Sequence, residues 1–322
     1  MSARPLIFIF PGQSSRDPFM FERLAIVDPH LAAQALANVE AQIGRPFDAA
    51  FTDNLEIQLA VFEVTQAWLQ LVRAAGLHEQ ASAGLSLGEY SHCVAIGALP
   101  VDAARSLVAS RGRCYDAGPA GVMAAMFPLS LEELEALCAQ VREALGDARA
   151  VAVANMNSPT QNVIAGTAAA VDRVLALALD EYFITGQIIE QRIPMHVPLF
   201  APVADAFRPA LESATWQIPA AGYWPNVDAK PVALTHSTDI IDCLARHVWQ
   251  PVKWRETIDA MVVRYGDPVF VEVGPLQILT RMLSRKWIAP QRVFAVDVSS
   301  GAKDQAVTFS QRMEEIRYAL AH

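Results

Sequence analysis

The sequence predicts an α/β fold in which a ferredoxin-like subdomain is inserted between the two halves of a larger domain built on a parallel sheet. Three observations carry this. A continuous apolar run, Leu6–Phe10, stops at Pro11-Gly12, as a buried central strand does. Gly84-Leu85-Ser86-Leu87-Gly88 stands between a small-residue run and a helical pattern. The stretch 122–193 reads β-α-β-β-α-β, the split βαβ order.

The elements follow in order. Residues 56–75 have a helical pattern with few breakers, and 81–84 lead into the glycine turn. Helices are predicted over 89–97 and 101–115. In the insert, 122–127 is strand-like. Residues 130–145 are a helix opened by Ser130 with Glu133 three residues on, a capping box. Strands over 149–155 and 161–165 precede a helix over 167–182 with Thr167 as cap, and 187–193 is the last strand. Beyond it come helices over 202–213 and 239–248 and a buried strand over 269–273 ended by Gly274-Pro275. The division is therefore 1–121 with 194–322 as the catalytic domain and 122–193 as the subdomain.

Composition narrows the function classes. A net charge of -9 argues against nucleic-acid and anionic-membrane binding, which need a concentrated basic surface. No apolar run approaches the ~20 residues that span a bilayer, and no signal-peptide pattern opens the chain, so a soluble cytoplasmic protein is expected. Cys93, Cys114, Cys138 and Cys243 are far apart and form no metal-ligand spacing, so neither a zinc site nor a disulfide framework is expected. No resident cofactor is expected, and a monomer is.

The chemistry centres on Ser86. A serine on a tight strand-to-helix turn needs small residues two positions to either side, and the helix that follows favours developing negative charge. The motif alone arises by chance in about one chain in ten of this length. A serine nucleophile also needs a base. Of seven histidines, His196 is the best placed, between Pro194 and Pro198, which restrict the backbone on both sides. A loop histidine held by backbone hydrogen bonds fits the same spacing, and His247 is the second candidate. Arg111 falls on the inward stripe of helix 101–115, where a leucine is expected. Its partner is a carboxylate of the protein or of a substrate, unless the head snorkels to water.

In one order the chain carries Phe10-Pro11-Gly12-Gln13, Gly84-Leu85-Ser86-Leu87-Gly88-Glu89-Tyr90, Arg111-Gly112, Asn157-Ser158-Pro159, His196, Asn226-Val227-Asp228 and Glu272-Val273-Gly274-Pro275. Taken together these resemble the malonyl-CoA:acyl carrier protein transacylases, with the acyltransferase domains of polyketide synthases as close relatives. The resemblance implies an α/β-hydrolase-like core with a parallel sheet and a ferredoxin-like insert. It implies an acyl-Ser86 intermediate, His196 as base, and the N–H groups of Gln13 and Leu87 as oxyanion hole. Arg111 is then the clamp for a malonyl carboxylate, and a carbonyl between Arg246 and Trp254 orients the histidine. Gln58, Leu85, Met195, Asn226 and His247 are expected around the substrate. The implied partners are malonyl-CoA or a related acyl-CoA and the phosphopantetheine arm of an acyl carrier protein.

The chain departs from that pattern at Ser14-Ser15-Arg16, at Leu85, where the family usually has histidine, at Met195, and at His247, where glutamine is usual. Leu85 and Met195 make the pocket more apolar. They bring in a second reading, a discrete acyl hydrolase, or a transferase of a non-malonyl group, acting on polyketide carrier proteins. Lys253, Arg255, Arg281, Arg285 and Lys286 are candidates for contact with an acidic carrier protein.

Overall fold

The computed structural model describes residues 4–219, 221–232, 236–283, 287–297 and 308–322. In chain order the elements are β1 (Leu6–Phe10), α1 (Met20–Val27), α2 (Pro29–Ile43), α3 (Asn54–Ala74), β2 (Ala81–Gly84), α4 (Gly88–Ala95) and α5 (Val101–Asp116). The insert holds β3 (Val122–Met126), α6 (Leu131–Leu145), β4 (Val151–Met156), β5 (Asn162–Gly166), α7 (Ala168–Tyr182) and β6 (Gln187–Glu190). The chain then returns through α8 (Ala201–Ser213), α9 (Ser237–His247), α10 (Trp254–Tyr265), β7 (Val269–Glu272), α11 (Ile278–Leu283), β8 (Val293–Ala295) and α12 (Phe309–Ala321).

Two sheets result. The core sheet has the order β2-β1-β7-β8 and every pair in it is parallel. As a parallel sheet demands, β1 is buried on both faces. Leu6, Phe8 and Phe10 pack into the cluster shared with α3, α5 and α8, while Ile7 and Ile9 pack with Trp254, Ile258 and Met261 of α10. The second sheet is antiparallel in the order β4-β5-β3-β6, with α6 and α7 packed on it through Leu134, Leu137, Val171 and Val174. This is the ferredoxin-like arrangement. The antiparallel sheet is tied to the larger domain where Asn155 of β4 forms a parallel bridge with Val252, which lies just before α10 and whose N–H and C=O pair with Ala154 and Met156.

Several elements go beyond the sequence reading. Helices α1, α2, α10, α11 and α12 and strand β8 were not anticipated. For α2 and α12 a signal existed: Asp28 caps the N–H groups of His30 and Leu31 ahead of Pro29, and Thr308 with Gln311 forms a capping box. Strand β6 stops at Glu190, three residues earlier than expected. The Glu190 carboxylate accepts from the N–H groups of Gln191 and Arg192, which turns the chain out of the sheet. No helix among the described residues is long and apolar enough to cross a membrane.

Candidate active site

The C-terminal ends of β1 and β2 lie side by side, with Phe10 paired to Gly84. In an open parallel sheet this edge is where sites form. Between β2 and α4 the chain turns at Ser86, whose φ is 51°, a left-handed conformation costly for a residue with a Cβ. The flanking glycines are required by space. A Cβ on Gly84 would lie 2.0 Å from the Gly88 backbone, and one on Gly88 would lie 2.1 Å from the Phe10 carbonyl oxygen. The turn is braced from behind, because the Ser86 N–H donates to Asn226 Oδ1 (2.8 Å) and Asn226 Nδ2 donates to the Gly84 carbonyl (2.6 Å).

Ser86 Oγ lies 2.7 Å from His196 Nε2. The other ring nitrogen, Nδ1, lies 2.7 Å from the His247 carbonyl oxygen. A carbonyl only accepts, so Nδ1 carries the proton and Nε2 is left as the acceptor for the serine hydroxyl. Burial, together with the positive charge of Arg111, holds His196 down to about 3, so its ring is neutral at pH 7. His196 also has a left-handed φ, 63°, and its N–H is tied to the Val248 carbonyl. The expected orienting carbonyl between Arg246 and Trp254 is thus found at His247.

Arg111 is 1% exposed, and its Nη2 is 3.3 Å from Ser86 Oγ. Among the described residues no carboxylate pairs with it, and its Nη1 has no hydrogen-bond partner. Its guanidinium carbon lies 4.1 Å from the Tyr115 ring centroid and 5.6 Å from that of Tyr90. A buried cation held by aromatic faces, with one donor nitrogen free beside a nucleophile, has the chemistry to receive an anion.

A cleft of about 660 Å³ opens over Ser86 and His196. The core domain supplies Gln13, Leu85, Met195, Leu279 and Met282, and the subdomain supplies Met123, Val163 and Ile189. Gln13 accepts from Gln58 Nε2 (3.2 Å) and donates to Asn54 Oδ1 (3.4 Å), which fixes the loop carrying its N–H. Among the described residues neither the Gln13 N–H nor the Leu87 N–H makes an internal hydrogen bond.

Not every expected residue faces this cleft. Leu85 and Met195 line it, while Arg111, buried beside Ser86, does not. Gln58 is fully buried behind Gln13. Asn226 and His247, expected among the substrate contacts, do not line it either: Asn226 braces the serine turn, and the His247 ring stacks on His196 at 4.8 Å between centroids. Sequence reasoning missed Glu89 and Tyr223. Buried Glu89 is bonded to Tyr223 Oη and accepts from the Asn226 N–H (3.3 Å), and His247 Nδ1 lies 3.0 Å from its Oε2. Burial pushes its carboxyl up to about 8 against the Tyr223 and Asn226 hydrogen bonds and the charge of Arg111. His92, buried too, accepts from the Trp224 N–H and bonds Ser82, a structural role. Of the basic residues considered for docking, Lys253 and Arg255 are half-buried and Arg281 is exposed, while Arg285 and Lys286 lie outside the described residues.

The chain matches the acyl transferase domain family model over residues 8–317. It is 31% identical over 306 residues to the malonyl CoA-acyl carrier protein transacylase of Haemophilus influenzae, covering 91% of this chain and 95% of that one. FabD from Acinetobacter baumannii superposes with a TM-score of 0.86 at 28% identity, covering 99% of both chains. A malonyl-transacylase solved in complex with its type II polyketide synthase acyl-carrier protein superposes with a TM-score of 0.81 at 26% identity, covering 98% of this chain and 99% of that one.

Proposed function

Since the chain belongs to the acyl transferase domain family, we propose that it is an acyl carrier protein S-acyltransferase. It moves a malonyl group from coenzyme A to the phosphopantetheine thiol of a carrier in fatty acid or polyketide synthesis. The observation that carries the malonyl assignment is Arg111, a buried guanidinium with a free Nη1, beside a serine already bonded to a neutral histidine.

The geometry supports a two-stage reaction. Ser86 Oγ attacks the thioester carbonyl carbon and passes its proton to His196 Nε2. The carbonyl oxygen becomes an oxyanion, received by the N–H groups of Gln13 and Leu87. The carbon–sulfur bond breaks, the His196 proton goes to the departing coenzyme A thiolate, and malonyl-Ser86 remains. The carrier thiol then gives its proton to His196, attacks the ester, and leaves with the malonyl group as Ser86 recovers its proton. Through both stages Arg111 holds the free carboxylate in place of a protein partner. The His247 carbonyl keeps the base in one tautomer. Leu85, Met195 and Met282 keep the cleft apolar, which discourages water from taking the carrier's place.

The test is transfer itself. The protein is incubated with malonyl-CoA and a holo acyl carrier protein, and the carrier mass is followed. A carrier heavier by one malonyl group is the expected result. Free malonate with the carrier unmodified would overturn the transferase in favour of the hydrolase.

A further inference from the structure

We infer that Glu89, Asn226 and the ring of His247 form a circuit of buried polar contacts that positions both Ser86 and His196. The inference rests on the assignment of those two as nucleophile and base. The circuit runs from the Ser86 N–H to Asn226 Oδ1 (2.8 Å) and from the Asn226 N–H to Glu89 Oε2 (3.3 Å), and His247 Nδ1 lies 3.0 Å from that same oxygen. It continues from the His247 carbonyl to His196 Nδ1 (2.7 Å) and returns from His196 Nε2 to Ser86 Oγ (2.7 Å). His247 therefore serves the base with its carbonyl and the nucleophile, through Glu89, with its ring.

Three features make this more than packing. Ser86 and His196 both sit at positive φ, and such strain persists only where the surroundings over-determine it. The circuit joins the two strained residues through one carboxylate. Glu89, Asn226 and His247 are all buried, and a buried carboxyl group is tolerated only when its polar atoms are met. Here one oxygen takes the Asn226 N–H and has His247 Nδ1 3.0 Å away, and the other is bonded to the Tyr223 hydroxyl. Finally, the orientation of Asn226 is fixed, since its Nδ2 donates to the Gly84 carbonyl and only Oδ1 remains for Ser86. The ring stack of His247 on His196 adds a flat face against which the base cannot tilt.

The experiment compares His247→Leu, which keeps the backbone carbonyl but deletes the polar ring, with His247→Asn, which returns a polar group near the place of Nδ1. Ser86 modification is followed by intact mass with two probes, malonyl-CoA and phenylmethylsulfonyl fluoride, and folding by thermal melting. The circuit predicts that H247L slows both reactions by about tenfold or more, with half-saturation by malonyl-CoA changed far less, because alignment is lost and not the acyl site. H247N should recover most of the rate. Folded H247L reacting at the wild-type rate would overturn the inference, as would H247N as slow as H247L. If H247L does not fold, Tyr223→Phe carries the test by removing one donor from Glu89: slower modification supports the circuit and an unchanged rate overturns it. The sulfonyl fluoride needs no thioester recognition. Wild-type protein that it modifies but malonyl-CoA does not would sink the proposed substrate while leaving the circuit tested.

Discussion

Replacing Arg111 by methionine separates the acyl clamp from the rest of the machinery. The side chain is 1% exposed, its Nη2 is 3.3 Å from Ser86 Oγ, and its Nη1 is unpartnered. Truncating one member of a buried, hydrogen-bonded charge pair costs about 2–5 kcal/mol. At about 1.4 kcal/mol per factor of ten, kcat/KM for malonyl-CoA should fall by about 30-fold to a few thousand-fold. Acetyl-CoA has no carboxylate and should lose nothing, or gain, since a methyl group no longer sits beside a desolvated cation. The free protein should also melt higher, because removing a buried charge that lacks a carboxylate partner relieves its desolvation cost, against which the Tyr115 and Tyr90 contacts are small. The assay is initial-rate transfer with each thioester, alongside thermal melting. Equal losses for malonyl-CoA and acetyl-CoA would refute the clamp.

Other consequences are as specific. Ser86→Ala should abolish acylation, and His196→Ala should slow it by several orders of magnitude, with the fold intact by circular dichroism. With His196 held down to about 3, acylation should show no protonation midpoint near 6.5, and a fall centred there would contradict the neutral, buried base. Stability has its own pH dependence. His92 and His196 are lowered to about 3 and His247 is lowered well below its usual range, so unfolding takes up protons below about pH 6.5 and stability is lost as pH falls. Glu89 and Glu272 are raised to about 8 and about 7, so they favour the fold at low pH and lose that contribution as pH rises through those values. The melting temperature should therefore peak near pH 6–7 and drop most steeply below about 4.5, where the histidines are no longer opposed; a rise toward pH 4 would refute these assignments. Gly88→Ala should destabilise by about 3 kcal/mol or more in denaturant melts, because its Cβ would meet the β1 backbone, which cannot move aside.

The reach of the sequence follows the kind of signal each feature leaves. Strand β1 and the insert were legible because hydrophobic runs and caps are local. Ser86 was legible because its glycines are a steric necessity. Arg111 stood out as a cation on an apolar stripe. The partner of His196 left no trace of its own, since a backbone carbonyl belongs to every residue, and only the resemblance narrowed it to a segment. The brace at Asn226 and the carboxylate at Glu89 join residues up to 158 positions apart along the chain, which no periodicity reports. Asn226 and His247 were expected at the substrate because they match positions near it in sequence. The fold turns both toward the back of the serine. Helix α2 is rich in alanine, so its apolar stripe is faint, and only the Asp28-Pro29 start marked it.

The central claim is an acyl-enzyme on Ser86 selected by a carboxylate. It is tested most directly by mixing the protein with malonyl-CoA and, separately, with acetyl-CoA in the absence of a carrier, then reading intact mass and the modified peptide over time. The account predicts a persistent malonyl adduct on the peptide containing Ser86, little acetyl adduct, and neither with Ser86→Ala. No malonyl adduct, or rapid release of free acid from the acetyl thioester, would contradict it.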